Sequence, residues 1–206
     1  MQDKISCREV ERFLRYRQFL LDARDAGKEN VFSHELAAAA DISPEQVRRD
    51  IMLLHVNGRP QKGYPIKEFL DDIELKLIPR KVNVAMVGVG NLGRAVLAYF
   101  TKRRPNISIV AAFDSDPEKI DRVISGCKCY HIDSLAQVAK EQNIVLGIIA
   151  VPASYAQKTA DLLVTAGVKG IVNFAPANIT VGEGVYLEKI DITTAIEKTA
   201  YFANTL

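Results

Sequence analysis

The sequence predicts an α/β protein in two parts, a small helical head and behind it a doubly wound parallel sheet. Three observations predict it. The stretch VAMVGVGNLGRAVLAYF, Val84 to Phe100, runs from a β-branched strand through three glycines into an amphipathic helical pattern. Short apolar runs and amphipathic helical stretches then alternate as far as residue 192. Ahead of both lie about eighty residues whose apolar positions recur with helical spacing.

The chain has 206 residues, 48% of them apolar, enough for two small cores. The formal net charge is +2, so a nucleic-acid surface would have to be local. The start, MQDKISCREVERFL, is charged throughout and does not read as a secretory leader. No apolar run approaches the ~20 residues of a membrane span, so no membrane partner is expected. Cys7, Cys127 and Cys129 are sparse and odd in number, which suits a cytoplasmic protein with reduced thiols. Cys127-x-Cys129 is too closely spaced for a zinc knuckle and no His or Cys cluster completes it, so no metal is expected.

In the head, residues 7–25 set Val10, Phe13, Leu14, Leu20 and Leu21 on one helical face, and Gly27 ends the helix. Ser33 suits the N-cap of a short helix through Ala39, and Asp41-Ile42-Ser43 a tight turn. Ser43 then caps a third helix with Pro44 at its first position, where a missing N–H costs nothing. Val47, Ile51 and Leu54 form its buried face; Gln46, Arg48, Arg49 and Met52 lie elsewhere. Short helix, turn and capped helix with basic outer residues make a helix-turn-helix pattern, and HVNGRPQKGYPI after it fits a hairpin wing. Between Pro44 and Tyr64 four Lys or Arg face two acids, a local charge of +2. Arginine can fork onto guanine or phosphate, and a wing can send a cation into a minor groove. Candidate DNA contacts are Ser33, Ser43, Gln46, Arg48, Arg49, Arg59 and Lys62. A trihelical dimerisation or peptide module would share the bare pattern. PIKEFLDDIELKLIP reads as a connecting helix, and the head is expected to occupy residues 1–80.

Residues 81–192 read as a Rossmann domain. Val82–Val87 is a buried parallel strand, and Gly88-Val89-Gly90-Asn91-Leu92-Gly93 follows at once. The first glycine permits the turn, the second lets backbone approach a pyrophosphate, and the third lets helix and strand pack closely. A helix from Leu92 to Lys102 aims its positive end at that pyrophosphate. The next strand, ISIVAAF, ends in Asp114, placed to accept from both hydroxyls of an adenosine ribose. Ser115, Asp116 and Pro117 follow, without an Arg for a 2′-phosphate, so the expected cofactor is NAD(H). CKCYHI, VLGIIAV, KGIVNF and VYLEKID are further strands; DSLAQVAKEQN and SYAQKTADLLVTAG are helices. Ligands bind outside the carboxyl ends of such strands. Val151, Pro152 and Ala153, with Asn173, Phe174, Ala175 and Pro176, are therefore expected to border the nicotinamide. The last helix, in residues 193–206, places Ile196, Ala200 and Ala203 on one side with Tyr201 and Phe202 beside them. No substrate domain follows, and no proton-handling group is placed for hydride transfer, so no enzyme activity is expected. The alternatives are an NAD-dependent oxidoreductase or a CoA-binding subunit of a ligase.

Along nearly its whole length the chain resembles the Rex family of redox-sensing bacterial transcriptional repressors. The resemblance rests on QVRRDI, Gly58-Arg59 and Gly63-Tyr64 in the wing, VGVGNLGRAV, AAFDSDPEKI, YHIDSL, VPASYAQKTADLLVTAGVKGIVNFAP, and IDIT with AYF near the end. It implies a homodimer that binds palindromic operators at low NADH and releases them when NADH binds. It also implies a C-terminal helix swapped between subunits. Carried over by position, Arg48 and Arg49 contact DNA. Gly88, Gly90, Asn91, Leu92 and Gly93 hold the pyrophosphate and Asp114 the ribose. Tyr99, Pro152 and Asn173 to Pro176 surround the nicotinamide, and Asp191 sits at the cross-subunit switch. Departures stand at Pro60-Gln61-Lys62 in the wing, at His55 where glycine is usual, and at Gln18. Gln18 aligns with an arginine that in the family faces the cross-subunit acid.

Overall fold

The computed structural model describes residues 5–58, 61–77, 81–100 and 106–205. The chain divides into two compact units, Met1–Pro79 and Arg80–Leu206.

In the first unit α1 (Cys7–Asp25) starts at a capping box: Glu9 N–H donates to Ser6 Oγ and Ser6 N–H to the Glu9 carboxylate. Its inward face is Phe13, Tyr16 and Leu20. Leu14, expected inside, is 47% exposed; the spacing 13, 16, 20 leaves no room for it on that side. α2 (Ser33–Ala40) begins one residue earlier than predicted. Extended Phe32 is the N-cap residue and the Glu35 carboxylate accepts from its N–H at 2.9 Å, so Ser33 is the first helical residue and caps nothing. Asp41, at φ +56°, ends α2. α3 (Pro44–Leu54) is capped as predicted, Gln46 N–H donating to Ser43 Oγ at 3.2 Å. It ends at His55 with φ +61°, a left-handed conformation that glycine adopts without strain. The wing differs from a self-paired hairpin: β2 (Tyr64–Pro65) pairs antiparallel with β1 (Asn30–Val31). Gly63 makes this possible, since a Cβ there would lie 2.4 Å from the Val31 carbonyl oxygen. α4 (Ile66–Leu77) buries Ile66, Phe69, Leu70 and Ile73 and closes the core.

The second unit is built on β3 (Val82–Val87), β4 (Ile107–Asp114), β6 (Cys127–His131), β7 (Ile144–Ile149), β8 (Gly170–Asn173) and β9 (Tyr186–Lys189), with a two-residue strand β5 (Val123–Ile124). The sheet order is β5-β6-β4-β3-β7-β8-β9, parallel except for β5. Leaving β5 aside, this is the doubly wound order in which the chain reverses its direction of travel between β3 and β7. β5 was not expected. It forms a tight hairpin with β6 through Ser125 and Gly126, both at positive φ, as a primed two-residue turn requires.

Successive β3 residues serve opposite faces. Ala85 and Val87 pack with Phe113, Ile149 and Ile171 against α6 (Leu135–Glu141) and α7 (Ala153–Thr165). Val82, Val84 and Met86 pack on the other face with Leu97 of α5 (Asn91–Phe100). Both cysteines of β6 lie in that second layer, and burial pushes the Cys127 thiol up to about 11. Burial, and secondarily the negative charge of Asp114, raises Cys129. The thiolate is the reactive form. Native protein treated with iodoacetamide near pH 8 should therefore be labelled at exposed Cys7 and at neither β6 cysteine, with all three labelled in denaturant. Fast native labelling at Cys127, read by mass spectrometry, would contradict this packing. The last helix, α8 (Ile192–Ala203), has Asp191 as its N-cap and no buried residue.

Candidate functional site

The carboxyl ends of the central strands are in register: Val87 lies opposite Phe113 and Ile149, and Ile149 opposite Asn173. Gly88, Asp114, Val151 and Phe174 therefore emerge along one edge of the sheet. The glycines between β3 and α5 have three different surroundings. At Gly88, φ +92°, a Cβ would lie 2.5 Å from the Ala150 carbonyl oxygen, so β3 and β7 could not diverge as closely as they do. At Gly93 it would lie 2.0 Å from the Gly88 carbonyl oxygen, so α5 could not pack against its own turn. At Gly90 it would meet nothing within 4 Å. No protein atom explains glycine at Gly90; a phosphate lying on the backbone at the start of α5 does. The residues thus fit a dinucleotide pyrophosphate, a group the sequence assigns to the same turn. Arg94, one turn into α5, was not singled out from the sequence. Its Nε donates to the Val89 carbonyl oxygen at 3.3 Å, which holds the guanidinium beside the turn.

Asp114 ends β4 with its carboxylate turned to the glycine turn. Oδ2 accepts from Val89 N–H at 2.8 Å and from Lys119 Nζ at 3.2 Å, and Oδ1 accepts from Asp116 N–H at 3.0 Å. Burial works against its charge, but those donors outweigh it and hold the carboxyl below the usual range. A carboxylate has about four acceptor positions. Three are taken, so one position is open to a ribose hydroxyl as the side chains stand.

At the other half of the edge the structure shows how Asn173 is held. Its side chain is fully buried; Oδ1 accepts from Ala175 N–H at 3.0 Å and Nδ2 donates to the Ala175 and Ala177 carbonyls at 3.2 and 3.1 Å. Both ends of the amide serve the loop, which leaves one lone pair of Oδ1. Ala175 is also buried, while Pro176 and Pro152 are exposed and Val151 and Phe174 half-buried. Tyr99 lies in the last turn of α5, about 12 Å along the helix from Asn91 at 1.5 Å per residue.

In the head, Arg48, Arg49 and Met52 share the outer face of α3. Arg48 pairs with Glu45 at 2.9 Å, and Arg49 makes no ion pair among the described residues. Lys62 is exposed, and Arg59 lies outside the described residues. Gln46 is turned inward, its Nε2 donating to Asp50 at 2.9 Å. Asp50 was counted as an acid offsetting the basic stretch; it is instead fully buried. Arg12 of α1 grips it with two bonds, at 2.6 and 2.7 Å, and Tyr16 Oη donates at 2.8 Å. Burial opposes the Asp50 charge, but Arg12, Tyr16 and Gln46 together hold its carboxyl below the usual range. Burial, and then donation to Asp50, pushes the Tyr16 phenol up. The cluster fixes α3 to α1, so the exposed arginines stand on a rigid helix.

Two family models match the chain, one described as "Putative DNA-binding protein N-terminus" over residues 4–51 and one as "CoA binding domain" over residues 79–177. A redox-sensing transcriptional repressor Rex of Listeria welshimeri is 38% identical over 97% of this chain and 93% of its own length. The protein of the same name from Lactobacillus gasseri is 37% identical over 97% of this chain and 94% of its own.

The chain belongs to the Rex family.

Among solved structures, the Rex-family repressor RSP in complex with β-NAD+ and operator DNA is 25% identical, with a TM-score of 0.89 over 98% of this chain and 94% of that one. RSP in complex with β-NADH is 26% identical, with a TM-score of 0.86 over 98% and 95%. The Rex relatives are named as transcriptional repressors, not as enzymes. Among the described residues of this Rex-family chain no helix is long and apolar enough to cross a membrane, and no group of three His, Cys, Asp or Glu could hold a metal. The two positions that the sequence resemblance assigns to a switch have local partners. Gln18 donates to Asp22 at 2.9 Å, and Asp191 accepts from Thr194 N–H at 2.9 Å while Lys189 Nζ lies 3.5 Å away.

Proposed function

We propose that this chain is a redox-responsive transcriptional repressor that binds NAD(H) in the crevice beside Gly90 and operator DNA through α3. The observation that carries the reading is the open space over Gly90, in a turn otherwise closed around its glycines, on a chain whose head presents Arg48 and Arg49 from a braced helix. Gly88, Gly90, Asn91, Leu92 and Gly93 would hold the pyrophosphate, with Arg94 supplying charge, and Asp114 the ribose. Val151, Pro152, Phe174, Ala175 and Pro176 would wall the nicotinamide. Arg48 and Arg49, with Arg59 and Lys62 of the wing, would contact DNA.

α8 supports a homodimer. Ile192, Ile196, Tyr201 and Phe202 are each about half or more exposed, too much apolar surface for one helix to leave in water. A second copy, taking α8 as a swapped element with Asp191 and Gln18 near the joint, would cover them. A two-fold dimer reads two half-sites one helical turn apart, hence a palindrome.

NAD+ and NADH differ by a ring charge, and an apolar wall penalises the charged ring. The crevice should therefore prefer NADH. To move the protein from mostly bound to mostly released requires roughly 5 kcal/mol of differential affinity between two states. The test is an operator-shift titration at fixed salt with NAD+, NADH and CoA, on protein whose sedimentation gives the two-subunit mass. Release is expected with NADH and not with NAD+ or CoA. Equal operator occupancy under both nicotinamide forms would refute the switch. CoA displacing NADH would favour the ligase-subunit reading.

A further inference from the structure

Beside the Asp114 carboxylate a neighbouring ammonium leaves one donor without a partner among the described residues. Lys119 Nζ lies 3.2 Å from Asp114 Oδ2 and 3.2 Å from Asp116 Oδ2. The segment holding it is a tight turn: Asp116 N–H donates to Asp114 Oδ1, Glu118 N–H to Asp116 Oδ1 at 3.0 Å, and Lys119 N–H to the Asp116 carbonyl at 3.0 Å. An ammonium has three donors. Two are used, and the third has no partner among the described residues. Lys119 is about one-fifth exposed, on the side where Asp114 borders the glycine turn.

We propose that Lys119 is a specificity-determining residue of the crevice, donating to one hydroxyl of the adenosine ribose while Asp114 accepts from the other. This rests on the reading of the crevice as a dinucleotide site. Two carboxylates around one ammonium leave one net negative charge at the ribose. A 2′-phosphate entering there meets that charge, while the cation that could greet it is clamped by both acids. Discrimination against NADP(H) is thus a property of the trio. Asp116, half-buried and with its side chain reaching the site through Lys119, is the member whose removal reverses it.

The test is fluorescence titration of the full-length protein with NADH and NADPH. Wild type binds NADH more tightly than NADPH. In Asp116→Asn the charge of one clamp is gone and the trio is neutral. NADPH affinity should rise about tenfold, the size of one charge removed at a few ångströms in a solvated site, and NADH affinity should stay within about twofold. In Lys119→Met, NADH affinity should fall several-fold and NADPH affinity further. The double variant should lose the NADPH gain, which a merely structural role for Lys119 would not produce. If wild type binds no NADH, the dinucleotide reading itself fails. If it binds NADH but Asp116→Asn leaves NADPH affinity unchanged, or the double variant keeps the gain, the role of Lys119 is overturned.

Discussion

Gly90→Val should abolish NADH binding, by at least about a hundredfold, while the thermal midpoint of the protein stays within about a degree of wild type. The Cβ at this position meets no protein atom within 4 Å, and the backbone is not at positive φ, so the cost to folding is small. What it meets is the space where a phosphate would rest on the backbone N–H groups opening α5. Two extra methyl groups there remove several charge-assisted hydrogen bonds at once, each worth about 1.5–3 kcal/mol. Gly93→Val is the control that separates ligand from fold. Its Cβ would collide with the Gly88 carbonyl oxygen, so this variant should lose both NADH binding and several degrees of stability. On the operator the Gly90 variant should bind as wild type does and ignore NADH. The measurements are NADH fluorescence, calorimetric melting and operator shift. A Gly90 variant that still binds NADH would remove the cofactor from this turn.

Asp50→Asn should have the largest effect on the head. The substitution leaves Arg12 and Tyr16 facing an amide that cannot accept as the carboxylate does. Breaking a buried ion pair costs about 3–5 kcal/mol. The low end applies here, because the Arg12 side chain retains some solvent access. Domains have only about 5–15 kcal/mol in hand, so the head should melt well before the sheet domain and operator binding should be lost. NADH binding by the second unit should persist. The pH dependence follows the same charge. The folded carboxyl lies below its unfolded value, so its contribution is present above about pH 4 and is lost as pH falls through the folded value. The wild-type head should therefore unfold on acidification below about pH 4, and Asp50→Asn should flatten that limb. Circular dichroism with pH, alongside NADH titration, reads both outcomes. An Asn variant as stable as wild type would mean that the cluster does not brace α3.

The two residues show what a sequence makes legible. Gly90 could be found because everything that defines it is local: a β-branched strand before it, a helix after it, and glycines at fixed offsets. Ser43-Pro44 was legible for the same reason, since a cap and a first-turn proline act on their own helix. Asp50 was not, because its burial depends on Arg12, thirty-eight positions away, and an acid next to two arginines reads as one more surface charge. Asn173 was legible as a strand end but not as to which way its amide turns. Ala175 and Ala177, downstream in the loop, claim both ends of that amide. Ser33 missed its cap by one residue because Glu35 could serve Phe32 equally well. β5 is two residues long and has no periodicity to detect; only the Ser125-Gly126 turn announces it. Asp114 was legible as a strand-end acid but the lysine beside it was not, since the turn 114–119 reads as a loop without saying where the Lys119 ammonium points.

The sulfurs of β6 carry a consequence for what such a sensor hears. Both lie in a dry layer under α5 and are held as neutral thiols. Peroxide attacks the sulfur anion, and none is offered in this sheet. Oxidative stress and a shift in coenzyme ratio can strike a cell together, and the domain would answer the second while staying deaf to the first.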